Sequence, residues 1–585
     1  MTDLKAISPE NPVSGAVALI RALIDEGVDT VFGYPGGQIL PVYDALYDFT
    51  DHLRHILVRH EQGATHAAEG YARATGRPGV VIVTSGPGAT NVITGLSDAM
   101  MDSTPMVVIT GQVGAQYLGS DAFQETDVIG ITQPVTKWSL QVRRAEDIND
   151  AVARAFYIAT SGRPGPVVLD ISRDAQVGNV VRPYRKIDFI RSYNPAPVPR
   201  GESIAAAAAI INSATRPMIL AGQGVTISGA EKELQDFAEK IMAPVASTLL
   251  GLSVMPSDHP LYAGMLGMHG NIGPNVNTNR ADVLIAVGMR FDDRITGDVS
   301  SYAPDAKIVH IDIDPSEFDK TVAATVTING DAGAVLEMLA AKVDTRTETD
   351  RAQWLESFQA CARVEDREVF GPELRRTGSS PMTMGEVVRA VSCACGDDAV
   401  CVTDVGQNQM MAARYMRYRR GRSMITSGGL GTMGFGLPAA IGAKIGRPDR
   451  TVCCFLGDGG FQMTIQELGT IMEYGVGVKI LLMNNNFLGN VRQWQNLFYQ
   501  RRFSQTPMAN PDFCAIAAAY GIPAERVSDR DSLPAAVERM LRTDGAYLID
   551  VAIDPADMVF PMTPPGQAVD QLMLNAALRF SPEML

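Results

Sequence analysis

The segment TVCCFLGDGG (451–460), followed by VKILLMNNN (478–486), decides the fold class. Each is a continuous apolar run that stops abruptly at Gly, Asp or Asn. Such runs read as strands buried on both faces, and the interval between them has room for a helix, giving one βαβ unit of a parallel sheet. Gly457, Asp458 and Gly459 close the first run, and Asn485, 27 residues beyond Asp458, closes the second. Open parallel sheets bind ligands at that carboxyl edge. A carboxylate and an amide oxygen from neighbouring strands suit a hard divalent cation such as Mg²⁺, which also keeps phosphate oxygens and water as partners. The glycines let backbone N–H groups approach a phosphate. A lone Gly-Asp-Gly is usually a tight turn with Asp capping a helix. The Asn pair one βαβ interval later makes the pattern much more specific.

The same pattern recurs outward along the chain. AVCVTD (399–404) and YLIDVAID (547–554) belong with the first two runs. HILVR (55–59), VVIVT (80–84), MVVIT (106–110) and PVVLDI (166–171) alternate with Ala-rich amphipathic stretches near the N-terminus. PMILAGQG (217–224), DVLIAVG (282–288) and KIVHIDID (307–314) form a third group. Between them lie a Pro-rich linker, RSYNPAPVPRGES (191–203), and a charged stretch from Asp344 to Ser380 with one helical patch around Trp354. The expected fold is α/β: three doubly wound parallel-sheet domains in series, over 1–185, 200–343 and 382–585. No short repeat period is visible.

Composition removes several classes. A chain of 585 residues is too long for one core. Fifty Lys and Arg against 65 Asp and Glu leave a net charge of −15, which argues against nucleic-acid binding. Seven cysteines, an odd number with no CxxC pair, point to buried thiols in a reducing compartment. The start, MTDLKAISPENP, has no apolar signal core. The uncharged stretches Pro78–Ser97 and Met424–Ala443 are broken by Gly, Pro, Ser and Thr, which suits strands and turns rather than membrane spans. The expected location is the cytoplasm.

The Gly-Asp-Gly and Asn-Asn pair resembles the thiamine-diphosphate-binding motif, and the resemblance implies a Glu just after a strand in an N-terminal domain. Glu61, in RHEQGA (59–64), fits. Alone it would be a helix-start acid facing the dipole. In this family it shares a proton with the aminopyrimidine ring, which needs a largely dry site. The glyoxylate-ligating branch lacks this Glu.

The resemblance extends over nearly the whole chain and is closest to acetohydroxyacid synthase (acetolactate synthase) catalytic subunits. Matching blocks include FGYPGG (32–37), TSGPGATN (84–91), DAFQET (121–126), SGRPGPVVLD (161–170), MLGMHG (265–270), RFDDRITG (290–297), GLGTMGFGLPAAIGA (429–443) and VRQWQ (491–495). It implies decarboxylation of pyruvate and ligation of the hydroxyethyl unit to a second 2-keto acid, pyruvate or 2-ketobutyrate, in branched-chain amino-acid synthesis. Asp458, Asn485 and the Phe487 carbonyl would hold Mg²⁺. Gly406, Gln407, Asn408, Gly457 and Gly459 would line the diphosphate. Gly431 would face the 4′-amino group, with Met433 as an apolar wedge. Gln124 and the backbone near Gly37 would stabilise developing oxyanion character.

Arg163 of the first domain and His269, Arg290, Asp292, Asp312 and Asp331 of the middle domain match FAD-contacting positions, and Gly222 and Gly224 add a weak dinucleotide cue. The flavin would be structural. Phe123, Met268, Arg294 and Trp494 match the acceptor pocket, where Arg294 suits a carboxylate and Trp494 an alkyl wall. The implied domain roles are pyrimidine-binding for the first, FAD-binding for the second and diphosphate/Mg-binding for the third. The implied assembly is a homodimer or dimer of dimers, with a small regulatory subunit. Departures from the family pattern are Gln38 for Ala, Gly114 for Pro, Arg173 for Lys, Asn408 for His and Asn490 for Met; all but Asn408 are expected at the mouth of the substrate channel. The alternatives are another thiamine-dependent carboligase, decarboxylase or pyruvate oxidase, or a catalytically silent binding protein.

Overall fold

Continuous Val, Ile and Leu runs form the interior strands of three six-stranded sheets. Gly79–Val83, Met106–Gln112, Pro166–Ser172, Pro217–Ala221, Val283–Val287 and Val478–Asn484 are buried along their whole length. A computed structural model describes residues 6–585. Every strand pair in the three sheets is parallel. Helices cover both faces and enclose separate apolar cores.

Numbered by chain order within each sheet, the first and third sheets have the same strand order, 2-1-3-4-6-5. The middle sheet runs 3-2-1-4-5-6, the order of dinucleotide-binding sheets. Its order reverses between Pro217–Ala221 and Val283–Val287, where Gly222, Gly224 and Gly288 bring two loops into backbone contact.

The strands not anticipated from the sequence are mostly short and marginal: Trp138–Val142, Tyr262–Met265, Val326–Asn329, Met424–Ile425 and Ala524–Val527 are sheet edges, and Val245–Ser247 lies next to one. Thr30–Tyr34 is interior but is interrupted by Gly33, whose missing Cβ lets the Ile82 carbonyl pass. The charged stretch after Asp344 yields helix Glu348–Glu365, started by a Thr347/Asp350 capping box. Its Trp354 is buried, and Nε1 donates to the Pro217 carbonyl at 2.7 Å. Pro78–Ser97 and Met424–Ala443 are strand–turn–helix segments. Among the described residues no helix is long and apolar enough to cross a membrane.

The first and third domains pack directly through helices Glu61–Thr75 and Gly436–Gly446. A Cβ on Gly442 would stand 1.8 Å from the Ala67 carbonyl oxygen, and one on Gly70 would stand 1.9 Å from that of Ala439. Only glycine permits so close an approach.

Candidate active site

Each loop of the third domain's site leaves the carboxyl end of a strand. Asp458 follows Val452–Gly457 and Asn485 follows Val478–Asn484; these strands are paired, with Gly457 opposite Met483. The Asp458 carboxylate accepts from the Gly459 N–H (3.0 Å), the Asn486 N–H (2.7 Å) and Asn510 Nδ2 (2.7 Å). Burial holds its pKa above the usual carboxylate range despite those donors. Asn485 Oδ1 accepts from the Phe487 N–H at 3.0 Å, and its Nδ2 approaches Gln407 Oε1 at 3.4 Å. A buried carboxylate and an amide oxygen at the ends of paired strands, with the Phe487 carbonyl two residues beyond Asn485 in the chain, are oxygen donors of the kind that fits Mg²⁺.

Gly406, at φ +131°, and Gly457 flank Asn408: Cβ atoms there would lie 3.4 and 3.6 Å from its Oδ1, so the missing side chains leave the loop backbone open to a diphosphate. Asn408 Nδ2 is tied to the carbonyls of Asp404 and Phe455. The Met433 methyl lies beside Gly459, 3.5 Å from where a Cβ would stand. Asp404 shapes this edge by accepting the N–H groups of Val405, Gly434 and Gly436.

In the first domain Glu61 opens helix Glu61–Thr75 after strand Arg54–Leu57. Its carboxylate accepts from Asn91 Nδ2 at 2.9 Å and lies 3.5 Å from where a Cβ on Gly88 would be. Gln124, itself at φ +60°, packs over Gly86. The Gly37 carbonyl faces Arg173 Nη1 at 3.4 Å. Phe123 is 85% exposed on the same domain.

A cavity of about 1140 Å³ lies where the three domains meet. Arg163, Gly224, His269, Arg290, Asp292, Asp312 and Asp331 line it, as do Met268, Arg294, Trp494, Asn490 and Gly431. Gly222 is absent from that lining; its hydrogen lets strand-end backbone pass Gly288. Asp292 and Asp331 cap helices as well as facing the cavity. Burial pushes Asp312 up to about 6 and, with Arg414 and Arg294 nearby, His269 down to about 3. His269 Nδ1 is buried without a hydrogen-bond partner among the described residues. A cavity this large, at the switch point of a 3-2-1-4-5-6 sheet and with such an orphaned nitrogen, fits a dinucleotide.

Arg163 is held by Ser103, Asp314 and Glu317. Among the described residues Arg294 has only a 3.8 Å approach to Asp293 and a 3.9 Å contact with Met268 sulfur, leaving its guanidinium available to a carboxylate.

The chain therefore assembles two groups separately. The third-domain loops share one edge, and Gly431 joins them to the large cavity. Glu61, Gln124, Gly37 and Phe123 sit on the first domain, where the Glu61 carboxylate accepts from Asn91 of that same domain. Gln38, Gly114 and Arg173 group there, around Gly37 and Asp174, while Asn490 lines the cavity beside Trp494. Asn510 and Asp404 were not anticipated. Asp404 ends an apolar strand just before Gly406, a cue of the same kind as Asp458; Asn510 comes from a loop without any spacing signal.

This fold and edge chemistry define a thiamine-diphosphate enzyme. Family models for the N-terminal TPP-binding, central and C-terminal TPP-binding domains of thiamine pyrophosphate enzymes match residues 13–131, 204–339 and 404–551. Within that class the chain belongs to the acetolactate synthase large-subunit family. It is 45% identical over 560 residues to a probable acetolactate synthase large subunit of Methanocaldococcus jannaschii, covering 95% of this chain and 94% of that one. It is 44% identical over 563 residues to the isozyme 2 large subunit of Escherichia coli K12 (96% and 99% covered). It is 42% identical over 571 residues to the large subunit of Lactococcus lactis (97% and 98%).

Proposed function

We propose that the chain is an acetolactate synthase that joins two 2-keto acids with loss of CO₂. Two pyruvates give 2-acetolactate; pyruvate and 2-ketobutyrate give 2-aceto-2-hydroxybutyrate. The observation that carries this reading is the shared cavity lined by Gly431, from the thiamine edge, and by the loosely held Arg294 and Trp494. Thiamine diphosphate supplies the electron sink for decarboxylation, which no side chain provides. Asp458, Asn485 and the Phe487 carbonyl hold Mg²⁺ against the diphosphate. The Glu61 carboxyl holds a proton shared with the pyrimidine ring. The Gly431 carbonyl would accept from its amino group, and Met433 would supply an apolar surface beside it. Arg294 binds the acceptor carboxylate, and Trp494 packs on its alkyl group. FAD fits the dinucleotide-type cavity, and its role here is structural because the net reaction has no redox change.

Glu61 and Asp458 lie on different domains, and Phe123, Leu430, Met463 and Met472 leave large apolar surface exposed. These features support a site completed by a second copy of the chain. The "large subunit" names of the relatives support a smaller partner subunit as well. The test is product identification from mixed pyruvate and 2-ketobutyrate with thiamine diphosphate, Mg²⁺ and FAD. Both acetohydroxy acids are expected; acetaldehyde or acetate alone would overturn the reading.

A further inference from the structure

A buried polar network joins the first domain to the third-domain loop that carries Gly431. Asp102 accepts from the N–H groups of Gly428 (2.8 Å) and Gly429 (2.7 Å) while pairing with Arg73 at 2.6 Å. Arg73 Nη1 donates to the Thr426 carbonyl at 2.6 Å. Asp98 accepts from the Ser427 hydroxyl at 2.8 Å, and the Ser427 oxygen accepts from the N–H of Thr432 at 2.8 Å. Asp98, Asp102, Arg73 and Ser427 are all buried. Residues 426–432 form neither helix nor strand, so side chains that satisfy their backbone fix the loop's shape.

We infer that Asp98 and Asp102 are positioning residues for the thiamine site: through Ser427, Gly428, Gly429 and Thr432 the first domain sets the Gly431 carbonyl of its own chain. This inference rests on the function proposed above. It gives the first domain a task in its own chain's site, in addition to presenting Glu61 to the site of the second copy.

The chemistry around Asp98 supports a rigid anchor. Among the described residues its Oδ2 and Glu69 Oε2 are buried without hydrogen-bond partners, and an oxygen of each lies within 4.8 Å of the other and of a His66 nitrogen. The charged groups facing Asp98 are Glu69, His66 and Arg73 from helix Glu61–Thr75 and Asp102 on its own helix; Asp404 of the third domain faces His66. Asp102 answers Arg73 and Glu69 Oε1 meets His66 Nδ1 at 3.0 Å, which leaves one dry oxygen on each of Glu69 and Asp98. Burial, reinforced by Glu69, pushes the Asp98 pKa well above the usual carboxylate range, and Oδ1 accepts from Ser427.

The experiment uses the full chain with Asp98→Ala, Asp98→Asn and Ser427→Ala. Thiamine diphosphate affinity is measured calorimetrically with Mg²⁺ and no substrate, and amide hydrogen exchange is followed in cofactor-free protein. Asp98→Ala and Ser427→Ala should each weaken affinity roughly tenfold, the loss of one anchoring bond. They should speed exchange selectively over 426–434. Asp98→Asn, which keeps an acceptor oxygen, should restore both. Unchanged affinity and exchange in the first two variants would overturn the inference; so would a uniform rise in exchange across the first and third domains, which marks loss of packing instead. If the wild type itself fails to bind thiamine diphosphate, the functional reading falls, and selective exchange over 426–434 still decides whether Asp98 anchors the loop.

Discussion

Gly442→Ala is the sharpest test of how the first and third domains are held together. The added methyl would stand 1.8 Å from the Ala67 carbonyl oxygen, 2.6 Å from its carbon and 2.9 Å from its Cα. All three are backbone atoms of a buried helix, so no side chain can rotate away. Restoring an ordinary carbon–oxygen contact of about 3.3 Å requires the helices to part by about 1.5 Å, since dispersion contacts sit near 3.5 Å. That displacement also pulls Arg73 away from Thr426, because Arg73 rides on the same helix. Overpacking of this kind costs about 3 kcal/mol or more, which lowers Tm by about 6–12 °C at the sensitivity of domains of 150–250 residues. Gly201→Ala is the control: a Cβ there meets nothing within 4 Å, in the first turn of a helix, so Tm should hold or rise slightly. A Gly442→Ala Tm equal to wild type would refute the argument that glycine at this contact sets the domain spacing.

Four further outcomes follow from the site. Glu61→Gln keeps an acceptor for Asn91 but cannot shuttle a proton, so kcat should fall by about 10²–10⁴ with Tm little changed; unaltered C2–H exchange of bound thiamine diphosphate would remove Glu61 from that role. Asp458→Ala should weaken cofactor and Mg²⁺ binding and recover partly when both are raised; wild-type cofactor affinity would count against the metal assignment. Mixing inactive Glu61→Gln and Asp458→Ala chains under subunit exchange should restore up to about a quarter of wild-type activity if sites are shared between two copies, and no recovery would place the site within one chain. Burial pushes Glu467, which accepts from the Arg59 N–H across the first–third domain contact, up to about 7. The folded state thus holds a proton that the unfolded chain releases, a stabilisation complete below the unfolded pKa and lost as pH rises through 7. Between pH 5 and 8 wild-type Tm should fall relative to Glu467→Gln, and parallel profiles would show that Glu467 does not titrate there.

The strand class, the three sheets and the third-domain site were legible because each rests on contiguous residues. An apolar run ending in Gly-Asp-Gly carries both its strand and its ligand in one window. Edge strands such as Met424–Ile425 were not legible, since a strand with one neighbour needs no long apolar run. Asn510 reaches Asp458 from 52 residues away, and Asp98 reaches Ser427 across 329. Polar contacts between distant segments have no periodicity to read. Gly70 and Gly442 are opaque for a related reason: a glycine inside an Ala-rich helix reads only as a propensity cost until its neighbour is known.

The two domains that meet at that contact use one topology twice. In both 2-1-3-4-6-5 sheets the second strand, Arg54–Leu57 or Met424–Ile425, is an edge. Each is followed by a functional segment, Glu61 in one and Gly431–Met433 in the other, and then by a helix, Glu61–Thr75 or Gly436–Gly446. Those equivalent helices pack on each other reciprocally: Gly70 meets the Ala439 carbonyl, and Gly442 meets the Ala67 carbonyl. The spacing is the same on both sides, three residues from donor of space to obstructing carbonyl, which is what a local two-fold relation between the domains requires. Matching the helices through that contact places Glu61 opposite Met433 in the alignment of the two domains. The same position thus carries the acid proposed to share a proton in one domain and the residue proposed as an apolar wedge in the other, and only the third domain adds Asp458 and Asn485 after its third and fourth strands. A shared scaffold with different side chains at equivalent loops is enough to divide proton handling from diphosphate and metal binding.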